Sequence, residues 1–281
     1  MTLTQLRYWF GQYHIHPNKR LGQNFLYDPN MIQRIHRGMM ISKDSSVIEV
    51  GPGAGALTEG LAQRAGEVWA IEIDKGLVKM LQDRLGGVTH LHCIHADILK
   101  WNLHPIPRSK IVLVGNIPYQ ISSPLIEYIV RNRHQISQAW ITVQWEFAKR
   151  LVAMPGTRQS SSLSCFVQMY LVPQILFRVP RHVFFPSPEV DSAFVSLEVR
   201  STPAIPVRDE AFFIELIRKG FGHRRKTIVN VFSNVTQWGI KREGVENVLR
   251  QLGFVRNVRA EELSLQQWAR LADQLFTLQS R

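Results

Sequence analysis

Between residues 46 and 144, short apolar runs alternate with stretches of helical spacing, and this alternation restricts the possible folds more than any other feature. Ser46–Val50, Glu67–Ile73, Val88–His95 and Lys110–Gly115 read as strands, while Leu57–Arg64, Gly76–Leu85 and Pro124–Arg131 read as helices. Such alternation predicts a parallel sheet covered by helices on both faces. Ala139–Gln144 reads as a fifth strand. After Met154 the pattern changes: "VPQILFRV" and "DSAFVSLEV" are strands with only a proline-rich loop between them. That predicts an antiparallel end to a mostly parallel sheet. "RSTPAIPVRDE" (Arg200–Glu210) reads as a linker. Beyond it, "AFFIELIRKGF", "KTIVNVFSNV", "REGVENVLRQLGF" and "LSLQQWARLADQL" carry helical apolar spacing. The expected organisation is an α/β domain over residues 1–205, with an extension over about 1–17, then a small all-α domain over 206–281.

Charge narrows the class of partner. The chain of 281 residues carries a net +12. The part from Pro206 to Arg281 holds 13 basic and 8 acidic residues, a net +5, so the first 205 residues hold the remaining +7. A folded protein basic in both parts suits a polyanion, although a basic surface also serves solubility alone. No apolar run reaches the length of a membrane span and no secretory signal is evident, so no membrane association and a cytoplasmic location are expected. Leu3, Leu6, Trp9, Phe10 and Tyr13 share one helical face, which predicts a short helix packed on the body, with an organelle-targeting helix as the alternative. Cys93 and Cys165 sit among apolar residues and read as free thiols.

Three features fall at the ends of successive strands. "VIEVGPGAGALT" runs a strand into Gly51, Gly53 and Gly55 and then into a helix. Glycines there let the chain turn sharply and let a ligand approach main-chain N–H groups, though a tight strand–helix turn explains them as well. The spacing is neither that of a dinucleotide fingerprint nor that of a phosphate loop. Glu72, ending the next strand, can accept both ribose hydroxyls of a nucleoside, while Asp74 is placed to cap the following helix. Asp97, past the third strand, can accept an adenine amine or simply form a turn. Ligands of open α/β sheets bind at this carboxyl edge.

The fourth strand ends abruptly in Asn116-Ile117-Pro118-Tyr119. An adenine amine is a poor nucleophile because its lone pair is delocalised into the ring. Two acceptors on its N–H groups, the Asn116 side-chain oxygen and a carbonyl at Ile117 or Pro118, can pyramidalise that nitrogen toward an electrophile held at the glycine turn. The catalysis is positioning and polarisation. Tyr119 offers a face to an extruded base. An Asn-Pro turn with a packed Tyr is the plainer reading.

"NKRLGQNFL", "VIEVGPGAGALT", "EID", "AD", "GNIPY", "VFFPSPEVDSAFV" and "GHRRKT" occur in the order found in the ribosomal-RNA adenine N6-dimethyltransferases, which the chain resembles from about Asn18 onward. The resemblance implies a Rossmann-like methyltransferase sheet and S-adenosylmethionine as cofactor. It implies cofactor contacts from Asn24, Leu26, Gly51, Gly53, Glu72, Asp97 and Asn116. It also implies a substrate: two adjacent adenosines in the 3′-terminal hairpin loop of small-subunit (16S) rRNA, in a pre-30S particle, each methylated twice by a monomeric enzyme. Phe184 matches the family's second base-stacking aromatic, whereas without the resemblance Phe184 and Phe185 read as core. One departure is visible: where the family often has Tyr-Gly-Arg, this chain has "RQSSSLS" (Arg158–Ser164).

His223, Arg224, Arg225 and Lys226 read as a phosphate grip in a basic domain, or as an ordinary solvated face. His90 and His92 point the same way from a strand and His95 the opposite way, with no paired Cys or carboxylate to complete a site, so no metal is expected. The rival functions are a 23S rRNA adenine methylase, a DNA adenine methylase, and a non-catalytic ribosome-assembly or nucleic-acid-binding factor on the same fold.

Overall fold

The computed structural model describes residues 1–103, 106, 111–254 and 257–279. Two compact units emerge, Met1–Ala148 with Val172–Ser201, and Lys149–Leu171 with Thr202–Arg281.

In the first unit α1 (Leu3–Gln12) leads into a two-residue strand β1 (Phe25–Leu26) and α2 (Pro29–Gly38), which starts on an Asp28 cap followed by Pro29. The strands of the main sheet follow: β2 (Ser46–Val50), β3 (Glu67–Glu72), β4 (Leu91–His95), β5 (Ile111–Asn116) and β6 (Ile136–Gln144). Between them run α3 (Thr58–Arg64), α4 (Lys75–Leu85) and α5 (Ser122–Arg131). The chain then passes through α6 (Trp145–Leu151), α7 (Ser162–Tyr170), β7 (Leu171–Val179), β8 (Phe184–Phe185) and β9 (Ser192–Val199).

Among the described residues seven strands form the sheet in the order β4-β3-β2-β5-β6-β9-β7, and β1 pairs separately with β8. β2 is parallel to both β3 and β5, β5 is parallel to β6, and β6 is antiparallel to β9. The expected mixed sheet is therefore present. The strand expected over Lys110–Gly115 is seen from Ile111, Lys110 lying outside the described residues. All of β2 is buried, and burying an aliphatic side chain such as Val47 or Ile48 contributes roughly 1.5–3 kcal/mol. Strand order reverses between β2 and β5, which opens a crevice at their carboxyl ends.

The second unit contains α8 (Glu210–Gly222), α9 (Ile228–Phe232), α10 (Arg242–Gln251) and α11 (Leu265–Gln279). It differs from the division expected at residue 205 because Lys149–Leu171 belongs to it. Met169 accepts from the Ala204 N–H at 2.7 Å, Tyr170 Oη donates to Glu210 at 2.9 Å, and the Gly156 N–H donates to the Glu261 carbonyl at 2.6 Å. The departing stretch "RQSSSLS" has a structural role here: the Ser161 and Ser164 side chains form a capping box at the start of α7. No helix among the described residues is long and apolar enough to cross a membrane.

Candidate active site

The turn after β2 is set by backbone conformation. Gly51 and Gly53 sit at φ 61° and 57°, a region that disfavours side chains. A Cβ on Gly51 would meet nothing, so space opens before it; one on Gly53 would lie 3.1 Å from the Phe25 ring. The Gly53 N–H donates to Glu72 Oε2 at 3.1 Å, and the Asp74 N–H donates to Glu72 Oε1 at 3.0 Å. The Glu72 carboxyl is 5% exposed, its pKa raised by burial and pulled back by these two N–H groups. Each oxygen keeps a second lone pair for a ligand. Asp74 caps α4 through the Gly76 and Leu77 N–H groups, as its position suggested. Asp97 does form a turn, accepting the Leu99 N–H at 3.0 Å, and faces the same cavity.

The turn after β5 is set by side chains and carbonyls. Asn116 Nδ2 donates to the Asn24 carbonyl at 2.8 Å, which fixes the amide so that Oδ1 is the remaining acceptor. The Ile117 N–H donates to the Thr142 carbonyl at 3.1 Å. The Pro118 carbonyl accepts the Ile121 N–H at 3.0 Å, closing a 3₁₀ turn. Of the two carbonyls considered from sequence, that of Pro118 already accepts one hydrogen bond, and that of Ile117 accepts none among the described residues. Tyr119 Oη shares a hydrogen bond with Ser192 Oγ at 2.8 Å, and burial holds its phenol above the ordinary value.

Asn24, Leu26, Gly51, Gly53, Glu72, Asp97, Asn116, Ile117, Pro118, Tyr119 and Phe184 all line one cavity. Phe184 is 3% exposed, belongs to the core packed around Val179 and Phe194, and also lines the cavity. It reaches the cavity because β8 pairs with β1, Leu26 opposite Phe184 and Phe25 opposite Phe185.

Sequence reasoning missed Gln23, Phe25, Glu49 and Gln120, which line the same cavity. Glu49 lies mid-strand in β2 and is buried, with Oε2 lacking a hydrogen-bond partner among the described residues. Burial pushes its pKa up to about 8, offset in part by the Thr58 hydroxyl. A glutamate inside an otherwise aliphatic strand was the available signal.

The basic tetrapeptide lies between α8 and α9, in the second unit. His223 and Lys226 line a concavity there with Lys219, Asn230 and Asn234. Arg224 instead pairs with Glu261 at 2.8 Å and donates to the Arg158 carbonyl at 3.0 Å. Arg225 is exposed. The three strand histidines have local partners: His90 the Ala62 carbonyl, His92 the Glu67 carboxylate, His95 the Ile73 carbonyl. Cys93 and Cys165 are free, and burial raises their thiols to about 11 and about 12.

The sheet, with its cavity at the switch point between a glycine-rich turn after β2 and the Asn116–Tyr119 turn after β5, is that of the Rossmann-like methyltransferases. The cavity fits S-adenosylmethionine: a buried, unpartnered carboxyl oxygen of Glu49, the acceptors of Glu72, and open space before Gly51 match a ligand both cationic and hydroxylated. The sequence profile described as "Ribosomal RNA adenine dimethylase" matches residues 15–277. The chain is 37% identical to ribosomal RNA small subunit methyltransferase A of Oceanobacillus iheyensis, over 96% of this chain and 94% of that one. It is 42% identical to the protein of that name in Streptococcus gordonii, over 92% and 91%. Among solved structures, a dimethyladenosine transferase from Plasmodium falciparum superposes with a TM-score of 0.73 at 25% identity, over 88% of this chain and 95% of that one. The 23S rRNA methyltransferase ErmE superposes at 0.70 and 29% identity, over 90% and 100%. The chain belongs to the ribosomal RNA adenine dimethylase family, enzymes dependent on S-adenosylmethionine.

Proposed function

We propose that this protein dimethylates the N6 amines of two adjacent adenosines in the 3′-terminal hairpin loop of small-subunit rRNA. It works as a cytoplasmic monomer on a pre-30S particle. The observation that carries the reading is the turn after β5: Asn116 is clamped through Nδ2, which leaves its Oδ1 beside the unengaged Ile117 carbonyl as a pair of acceptors. An adenine N6 amine has two N–H groups to give them. Accepting both draws the nitrogen out of conjugation with the ring and turns its lone pair away from the acceptors.

Glu72, Asp97, Asn24, Leu26 and the turn at Gly51 and Gly53 would hold the cofactor, with Glu49 as a further acceptor. S-adenosylmethionine supplies, when bound, an electrophilic methyl carbon on a sulfonium. Tyr119 and Phe184 would sandwich the extruded base, and Ser192 fixes the Tyr119 ring through its hydroxyl. After one methylation a single N–H remains for one acceptor, and the same clamp can present the lone pair again. In the second unit His223 and Lys226, with Lys219 beside them, grip RNA phosphates, and Arg224 shapes the turn that presents them.

Small-subunit rRNA is favoured over 23S rRNA by the relatives that align over nearly the whole chain. The test is mass-spectrometric mapping of rRNA after incubating small-subunit particles and, in parallel, 23S rRNA with the protein and cofactor. Dimethyladenosine at two adjacent positions near the 3′ end is expected. Modification confined to 23S rRNA, or monomethyladenosine alone, would overturn the reading.

A further inference from the structure

The helix α1 lies ahead of residues 15–277, the part matched by the family's sequence profile, and its placement is specified by several independent contacts. Thr2 and Gln5 form a capping box at its start. Leu6 and Phe10 are buried in a cluster with Ile15, Phe25, Ala54, Leu77 and Met80. Tyr13 Oη donates to Asp83 at 3.0 Å, and the Arg84 guanidinium lies 5.0 Å from the Trp9 ring.

Two of these contacts lead directly into the active site. Along the first, the Phe10 ring meets the Phe25 ring edge-on, with centroids 4.8 Å apart at 79°. Phe25 lies against Gly53 and follows Asn24, whose carbonyl holds the Asn116 amide at 2.8 Å. Along the second, Arg84, seated on Trp9, donates to the Ala54 carbonyl at 2.6 Å inside the glycine turn. Phe25, Ala54 and Leu77 are at once cavity wall and floor for α1.

We infer that α1 is a positioning element for the active site: Phe10, through Phe25 and the Asn24 carbonyl, sets the aim of Asn116 and the shape of the cofactor wall. Without the Phe10 ring, Phe25 has room to rock. The Asn24 carbonyl then shifts, and the Asn116 amide loses the hydrogen bond that fixes it. Misplacement of a reacting group by about 1 Å is enough to lower a rate about 100-fold. The inference rests on the role given to Asn116 above, but not on which RNA is the substrate.

The test uses the full chain with three substitutions, Phe10→Ala, Phe10→Leu and Tyr8→Ala; Tyr8 is on the outer face of α1 and 58% exposed. Binding of S-adenosylhomocysteine is titrated by calorimetry well below each melting temperature. The single-turnover methylation rate and the KM for small-subunit particles are measured beside it. For Phe10→Ala the expected result is S-adenosylhomocysteine affinity about tenfold weaker and a rate about 10- to 100-fold lower, with KM for the particle unchanged. Phe10→Leu should recover most of both losses, and Tyr8→Ala should match the unsubstituted protein. A folded Phe10→Ala protein with unchanged affinity and rate would refute the inference, as would a loss confined to KM. If Phe10→Ala does not fold, Phe10→Leu and Phe10→Val carry the comparison, where a graded loss is expected and equal, undiminished affinities are contrary. Unsubstituted protein that binds S-adenosylhomocysteine but methylates no rRNA removes the substrate reading. The affinity ratios alone then decide the role of α1.

Discussion

The two turns that flank the switch point solve the same problem in opposite ways. After β2 the chain needs residues without side chains, because Gly51 and Gly53 hold positive φ, and Gly51 leaves space open while Gly53 abuts the Phe25 ring. After β5 no residue from Asn116 to Tyr119 holds positive φ, and the proposed chemistry uses the Asn116 amide, the Ile117 carbonyl and the Tyr119 ring. One turn works by conformation and the other by functional groups. Substitutions in the first should therefore alter binding and stability, and those in the second should alter rate.

Asn116→Ala should produce the largest separation of the two. Turnover should fall by about 100- to 1,000-fold, the scale of losing one preorganised polar group, while S-adenosylhomocysteine binding changes little. A comparable loss in binding would collapse the distinction. Next, Tyr119→Ala should cost about 1–3 kcal/mol, the scale of one base–aromatic stack, read from kcat/KM. Tyr119→Phe should stay close to normal, since only the Ser192 hydrogen bond is removed. Gly51→Ala should then cost about 1–2 kcal/mol of stability for placing a Cβ at positive φ, measured by denaturant unfolding, with weakened S-adenosylhomocysteine binding. Its rate at saturating cofactor should hold.

The smallest effect concerns pH. Glu49 has an ordinary value of 4.5 and is raised to about 8 in the fold by burial. The folded protein thus keeps a proton that the unfolded chain has lost, so this group's contribution to stability falls as pH rises from about 4.5 to about 8 and levels off above. A cationic ligand in the cavity lowers that value and releases the proton. S-adenosylmethionine affinity should therefore rise severalfold between pH 6 and 8, and calorimetry in buffers of different ionisation enthalpy should detect the proton. Glu49→Gln should flatten the pH dependence.

Much of the first unit is legible in sequence because its strands are buried apolar runs with plain boundaries. Ser46–Val50 is one, and the break at Asn116 is another. The β1–β8 ladder is not legible: two residues carry no periodicity, and Phe25 pairs with a Phe185 far along the chain. With it went Phe25 as a wall of the cavity. Glu49 was overlooked for a different reason: the acid in an aliphatic strand is a signal, but its burial is known only from the fold. The membership of Lys149–Leu171 in the second unit comes from α7 packing on α8 and α11, helices distant in sequence. The cap at Ser161 carries a Ser where the usual capping signature has Glu or Gln. Arg224 shows the limit of reading charge from sequence, since its carboxylate partner lies 37 residues away.

In the function proposed above, Asn116 Oδ1 and the Ile117 carbonyl give a purine amine two places to be gripped, one for each hydrogen it brings. Every methyl added removes one of those handles. A fully substituted nitrogen offers none, so the pocket that captures the starting base has nothing left to hold in the finished one. Departure of the completed nucleotide is thus written into the hydrogen count of the reaction.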